Sequence, residues 1–229
     1  LTFEQLSQQF HDDLEKHLFD LELLKLIKRA DSVHKPITSL MAHYRLIEPS
    51  LDFYYTHLKP VLDKHSKGEV AKAAVTSLKN SLGKTPFITL CREWIWAASM
   101  TKTVNLLPQR VGGYWDEQMQ TPAFPIAAFD PQKEILLLGL SFWENDGLGA
   151  DKLDELIQKT YLMLKAQSDV WQIELAIFGL RPFTAEMKNV ANRESVRLVT
   201  LADIESQLVL AEETRKKEQN SPVDESFEF

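Results

Sequence analysis

The chain has 229 residues, 44% of them hydrophobic and 26% charged, which is ordinary globular composition and enough for one large domain or two smaller ones. Its net charge of −7 is uneven: basic and acidic residues number 6 and 8 over 1–48, 5 and 3 over 49–81, 12 and 14 over 82–200, and 3 and 8 over 201–229, so no segment has the strong basic excess of a tight nonspecific DNA binder. The lone Cys91 excludes an internal disulfide, no apolar run reaches the ~18 residues of a membrane span, and no basic-then-apolar leader opens the chain, so a cytoplasmic protein without membrane association is expected.

Thr2-Phe3-Glu4-Gln5 reads as a capping-box start for a short helix ending near Gln9. A second helix begins at Asp12, its apolar residues at Leu14, Leu18, Phe19, Leu21 and Leu24. Leu26 to Arg29 and Leu40 to Ile47 read as two strands joined by a loop containing Pro36. Short helix, longer helix and hairpin make a winged-helix arrangement over 1–48. As a DNA reader, such a unit would lay its second helix in the major groove and offer Lys35, His34 and Arg29 to phosphates. The helix opens on Asp12, Asp13 and Glu15, the wrong charge for that task, so a packing or protein-contact role is favoured.

Glu48-Pro49 punctuates the chain, and Ser50 to Tyr55 opens an aromatic helix that Pro60 is expected to end or kink. Val70 to Ser81 predicts another helix, completing a helical linker over 49–81, with Gly83 and Pro86 at the boundary of the next unit. Phe87, Leu90, Cys91, Trp94 and Ile95 share one face of a helix, and Cys91 within that stripe reads as a buried small hydrophobe. In Arg110 to Asp116 the paired glycines suit a turn and the aromatics a strand; no lysine and helix follow Gly113 to make a phosphate-cradling loop.

The centre of the chain is Ile126 to Trp143, a strand, a tight turn at Asp130-Pro131-Gln132-Lys133, and a second strand apolar enough to be buried on both faces. A metal-dependent nuclease core carries an Asp on the first strand of such a hairpin and an acid-x-Lys on the second, because Mg²⁺ needs oxygen ligands and the attacking water needs a base. A helix from Asp151, a strand over Trp171 to Leu180, a helix capped by Thr184 and a last strand, Val196 to Thr200, complete an α/β pattern. Ala202 to Arg215 reads as a further helix, and 209–229 is expected to be a charged, disordered tail.

YRLIEPSLDFYY (Tyr44 to Tyr55), LGKTPFITLCREWI (Leu82 to Ile95), GGYWD (Gly112 to Asp116), KEILLLGLSFW (Lys133 to Trp143), KLDELIQKT (Lys152 to Thr160) and IFGLRPFTAEM (Ile177 to Met187) form an ordered series. As a set they resemble the C-terminal region of the archaeal-type STAND (AAA+-like) ATPases, a domain of unknown function with a PD-(D/E)XK nuclease-like fold; the helix–hairpin unit before it resembles the winged helix that joins this domain to the ATPase. The similarity covers about residues 1–208. It implies a restriction-endonuclease-like mixed sheet flanked by helices over 82–208, preceded by the winged helix and the helical linker. It also implies an ATPase upstream of Leu1 that would hold ATP and Mg²⁺, with no cofactor in the present residues.

Carried over by position, the family's helix Glu, strand Asp, and Glu-x-Lys fall on Ile88, Pro125, Leu140 and Phe142, while Phe87, Trp115, Asp116, Gly139 and Trp143 match its framework. Four apolar positions leave nothing to hold a metal or a general base, so the resemblance implies a degenerate, noncatalytic module that contacts a protein partner, its own ATPase domain or, weakly, nucleic acid. Leu140 and Phe142 are expected to pack against Ile88 and Pro125 and fill the old cleft. Two alternatives are an active nuclease using migrated acids among Asp116, Asp130, Glu134 and Glu144, the turn pair Asp130 and Glu134 being expected to be solvated, and a winged-helix DNA-binding regulator.

Overall fold

A computed structural model describes residues 3–10, 13–34, 42–62, 67–81, 83–115, 124–143, 149–166 and 171–220. The chain is α/β: a five-stranded mixed sheet flanked by helices, and a small two-stranded antiparallel sheet. It divides into two compact units, Leu1–Ile88 with Gly112–Ala127, and Thr89–Val111 with Ala128–Phe229. No helix among the described residues is long and apolar enough to cross a membrane.

The first unit opens with α1 (Phe3–Ser7) and α2 (Leu14–Leu23), followed by the antiparallel pair β1 (Ile27–Ala30) and β2 (His43–Leu46). These are the helix, helix and hairpin expected from the pattern; Asp12 and Lys35 lie outside the described residues. Glu48 caps α3 (Pro49–Phe53) by accepting from the Leu51 N–H at 2.7 Å, and Pro49 occupies the first helical turn, where its missing N–H costs nothing.

Of the two outcomes expected at Pro60, an end or a kink, the helix does not end but is distorted. A proline interferes with the carbonyl four residues before it and donates no hydrogen bond. The chain accommodates it by widening to a π-helical turn over Tyr54–Leu58, in which the Lys59 N–H reaches back five residues to the Tyr54 carbonyl, before α4 (Lys59–Leu62) resumes. Inside the wide turn, His57 is buried and its Nδ1 lies 3.0 Å from Ser77 Oγ on α5 (Lys67–Ser81).

Helix α6 (Lys84–Met100) follows Gly83, whose φ of 102° is open to glycine. Of its predicted stripe, Phe87, Cys91, Trp94 and Ile95 are at most 3% exposed, and Leu90 is half-buried at its margin. The paired glycines form no turn. Gly112 and Gly113 lie within β3 (Arg110–Tyr114), and a Cβ on Gly112 would come within 3.4 Å of Val33 Cγ1. The glycines let the segment after β1 lie against the strand: the Val33 N–H donates to the Gly113 carbonyl at 3.1 Å, and the Trp115 N–H donates to Ser32 Oγ at 3.1 Å.

The large sheet has the order β3-β4-β5-β6-β7, with β4 (Phe124–Asp130), β5 (Ile135–Phe142), β6 (Gln172–Gly179) and β7 (Val196–Thr200). β5, β6 and β7 are mutually parallel, linked by α7 (Asp151–Ala166) and α8 (Ala185–Arg193). Ile135 to Leu140 are all buried, as a central strand with covered faces requires. Thr184 caps α8 as predicted, accepting from the Met187 N–H.

β7 runs directly into α9 (Leu201–Asn220) through a reciprocal cap in which Thr200 Oγ1 accepts from the Asp203 N–H while an Asp203 carboxyl oxygen accepts from the Thr200 N–H and hydroxyl. The expected tail from residue 209 is therefore helical to Asn220, because Ile204, Gln207 and Ala211 form a buried stripe at helical spacing that charge composition alone hides. Residues 221–229 lie outside the described set.

Candidate functional site

In the second unit, the turn from β4 to β5 is organised by Asp130. Its side chain is wholly buried, and its two carboxyl oxygens accept from the N–H groups of Leu107 (2.8 Å), Gln132 (3.0 Å) and Lys133 (3.2 Å). Asp130 was expected to be a solvated turn acid. It is instead the acceptor that a turn carrying unpaired N–H groups needs, shared with the segment after α6. Glu134 is exposed, with a left-handed φ of 55°. Asp116 and Glu144 lie outside the described residues.

Leu140 is buried and Phe142 half-buried on β5. Register places Leu140 beside Ile177 and Ser141 beside Phe178, so Leu140 and Phe142 share one face and Phe178 lies on the other. Trp94 of α6 meets Phe178 edge-on at 5.5 Å, whereas Lys152 of α7 places its Nζ 5.2 Å from the centre of the Phe142 ring. Leu140 and Phe142 thus share the face of β5 that meets Lys152 of α7, opposite the face of Phe178 and Trp94, because side chains alternate along a strand. Ile88 and Pro125 are half-buried members of the first unit. Among the described residues no group of three or more His, Cys, Asp or Glu is placed to hold a metal ion. Burial pushes the Cys91 thiol well above its ordinary range, as expected of a packing residue.

In the first unit, two of the expected phosphate contacts, Arg29 and His34, have partners within the chain, and Lys35 lies outside the described residues. Arg29 is ion-paired to Asp31 at 3.2 Å, and its backbone N–H faces Glu22 Oε1. His34 stacks on Tyr114 at 4.6 Å, with its Nδ1 2.9 Å from Ser32 Oγ. His43 meets Trp115 edge-on at 4.7 Å; its Nε2 is buried with no hydrogen-bond partner among the described residues, and burial lowers its pKa.

Two cations that the sequence did not single out are Lys28 and Arg45. They are exposed and directly opposite each other on β1 and β2, and neither forms an ion pair with a described residue. Like charges in that position destabilise a hairpin. The signal was register, which a strand prediction uncertain by one residue does not supply.

The same unit contains a groove of about 500 Å³. Leu6 and Phe10 line one wall, and Leu14, Leu18 and Leu21 of α2 line the next. The cross-strand pair Ile27 and Leu46 forms the floor. The polar side chains along it are His17, Tyr44 and Arg45. Its surroundings are electrically divided: residues 3–24 contain Glu4, Asp12, Asp13, Glu15, Asp20 and Glu22 against Lys16 alone, while 25–48 carry five basic residues and two acidic ones. Burial first, and then Glu22, Asp31 and Glu15 against an opposing Arg29, raise the Tyr44 hydroxyl above its usual range, so Glu15 and Glu22 act on the groove itself.

Comparisons with protein-family models, curated proteins and solved structures find no match to this chain.

Proposed function

We propose that the chain is a noncatalytic interaction module: a nuclease-like α/β unit joined to a winged-helix-like unit, serving a larger STAND-type ATPase by contacting another protein in a reducing, cytoplasmic setting. The ordered motif series from Tyr44 to Met187 is the ground for the ATPase context. The nuclease-like reading is supported by a central hairpin followed by two parallel strands with helical crossovers.

The observation that carries the noncatalytic reading is the setting of β5 and its turn. Where a nuclease would present an acid and a lysine, Leu140 is buried among strand neighbours and Phe142 lies under the Lys152 ammonium. Asp130, the buried acid of the hairpin turn, already accepts three backbone N–H bonds. Metal-assisted hydrolysis requires carboxyl oxygens directed at the ion and a base near the attacking water.

Incubating the full chain with plasmid and with labelled single- and double-stranded DNA and RNA oligonucleotides, in Mg²⁺ or Mn²⁺, is expected to leave every substrate intact. Cleavage that disappears in Asp116→Ala or Glu144→Ala would overturn the proposal in favour of a migrated-acid nuclease.

A further inference from the structure

We infer that the groove between α1, α2 and the β1–β2 hairpin takes an amphipathic helix of a partner protein, with basic side chains flanking its apolar stripe on the edge that meets α1 and α2. This rests on the reading of the chain as an interaction module.

The shape of the groove selects a helix. Its floor is the flat of the hairpin, since Ile27 and Leu46 are paired in register and both line it; an added strand would need an edge. Its wall is a row, Leu14, Leu18 and Leu21, at i, i+4 and i+7, which extends about 10 Å along α2 and matches the spacing of two-turn helical anchors. The mouth is open, with Phe10 56% and Leu21 36% exposed, so a small apolar molecule seated within would leave these side chains wet. α2 also lacks cover: Leu18 is its one fully buried residue, and a ten-residue helix is marginal without tertiary packing.

Charge selects the flank. Glu15 and Glu22 act on Tyr44 at the groove, and α1 and α2 hold the acidic excess of the unit, which attracts lysine and arginine and repels phosphates. Arg45 lines the hairpin side and is left to meet an acidic residue on the other edge of the incoming helix.

The test uses the full chain and a fluorescein-labelled peptide of about five helical turns, with leucines on one face, lysines along one flank and glutamates along the other. Anisotropy is expected to show saturable binding, at least about tenfold tighter than for a scrambled peptide or one with glutamates on both flanks. Leu21→Asp at the mouth is expected to weaken binding about tenfold or more, with Phe10→Ser as a second mouth variant should the first fail to fold. Glu15→Lys with Glu22→Lys is expected to reverse the preference, so that the double-glutamate peptide binds more tightly than the mixed one.

Equal binding of the scrambled peptide, indifference to both mouth variants, or displacement of the peptide by a duplex oligonucleotide or by decanoate would overturn the inference. Absence of peptide binding together with intact nucleic acid would overturn the groove alone and leave the noncatalytic reading standing; metal-dependent cleavage would remove that reading whatever the peptide does.

Discussion

Replacing Asp130 by alanine tests whether this acid is structural. The substitution removes both oxygens that accept from Leu107, Gln132 and Lys133. The Gln132 and Lys133 donors sit in an exposed turn where water can replace the lost acceptor, so each adds little. The Leu107 N–H makes the shortest of the three bonds, 2.8 Å, to a wholly buried side chain, and is the donor expected to lose most. One stranded donor costs about 1–3 kcal/mol, and with the weakened turn added we expect Asp130→Ala to destabilise the second unit by about 2–4 kcal/mol. Asp130→Asn keeps one oxygen and is expected to cost about half as much. Urea unfolding followed by tryptophan fluorescence gives the magnitude, and amide hydrogen exchange at Leu107 locates it. An alanine variant within about 0.5 kcal/mol of the parent, with Leu107 still protected, would refute the assignment.

The face of β5 predicts an asymmetry: Leu140→Glu should cost about 3 kcal/mol or more by placing a carboxyl in the sheet interior, whereas Phe142→Lys on the half-buried position should cost under about 1.5, since the ammonium can reach water. Equal costs in denaturant unfolding would mean that the two residues do not share the setting described. Burial lowers the His43 pKa in the folded state, so the unfolded state binds more protons below its own value of about 6.5, and the His43 contribution to stability should fall as pH drops through that value toward the lower folded one. Unfolding free energies at pH 7.5 and 5.5, compared between the parent and His43→Gln, are expected to show a smaller loss in the variant; identical losses would count against the effect.

Elements governed by periodicity were legible in the sequence. The stripe Phe87, Cys91, Trp94 and Ile95 fixed the buried face of α6, and Thr184 located the start of α8, because helical spacing and caps are local signals. What was not legible depended on partners distant in the chain. Pro60 reads as a stop or a kink, with nothing local to choose between them, until His57 and Ser77 are seen to meet across the widened helix. Gly112 and Gly113 read as a turn until Val33 and Ser32 are found against the strand. Asp130 reads as solvated because its third donor, Leu107, is 23 residues away in sequence. For the candidate sites, the residue types along β5 were legible but their side of the sheet was not. The groove was hidden because Leu14, Leu18 and Leu21 look like an ordinary core stripe in the sequence alone.

The π-helical turn at Tyr54–Leu58 sets a limit on how this chain could change by insertion or deletion. Such a turn is what an α-helix becomes after absorbing one supernumerary residue without passing it on. Deleting a residue between Tyr54 and His57 would restore ordinary helical winding and rotate one flank against the other by about 100°, a single residue's step. His57 would then turn away from Ser77, and Pro60 would again meet a carbonyl four residues behind it. The two features constrain each other, so descendants of this sequence should lose the proline and the extra residue together or keep both.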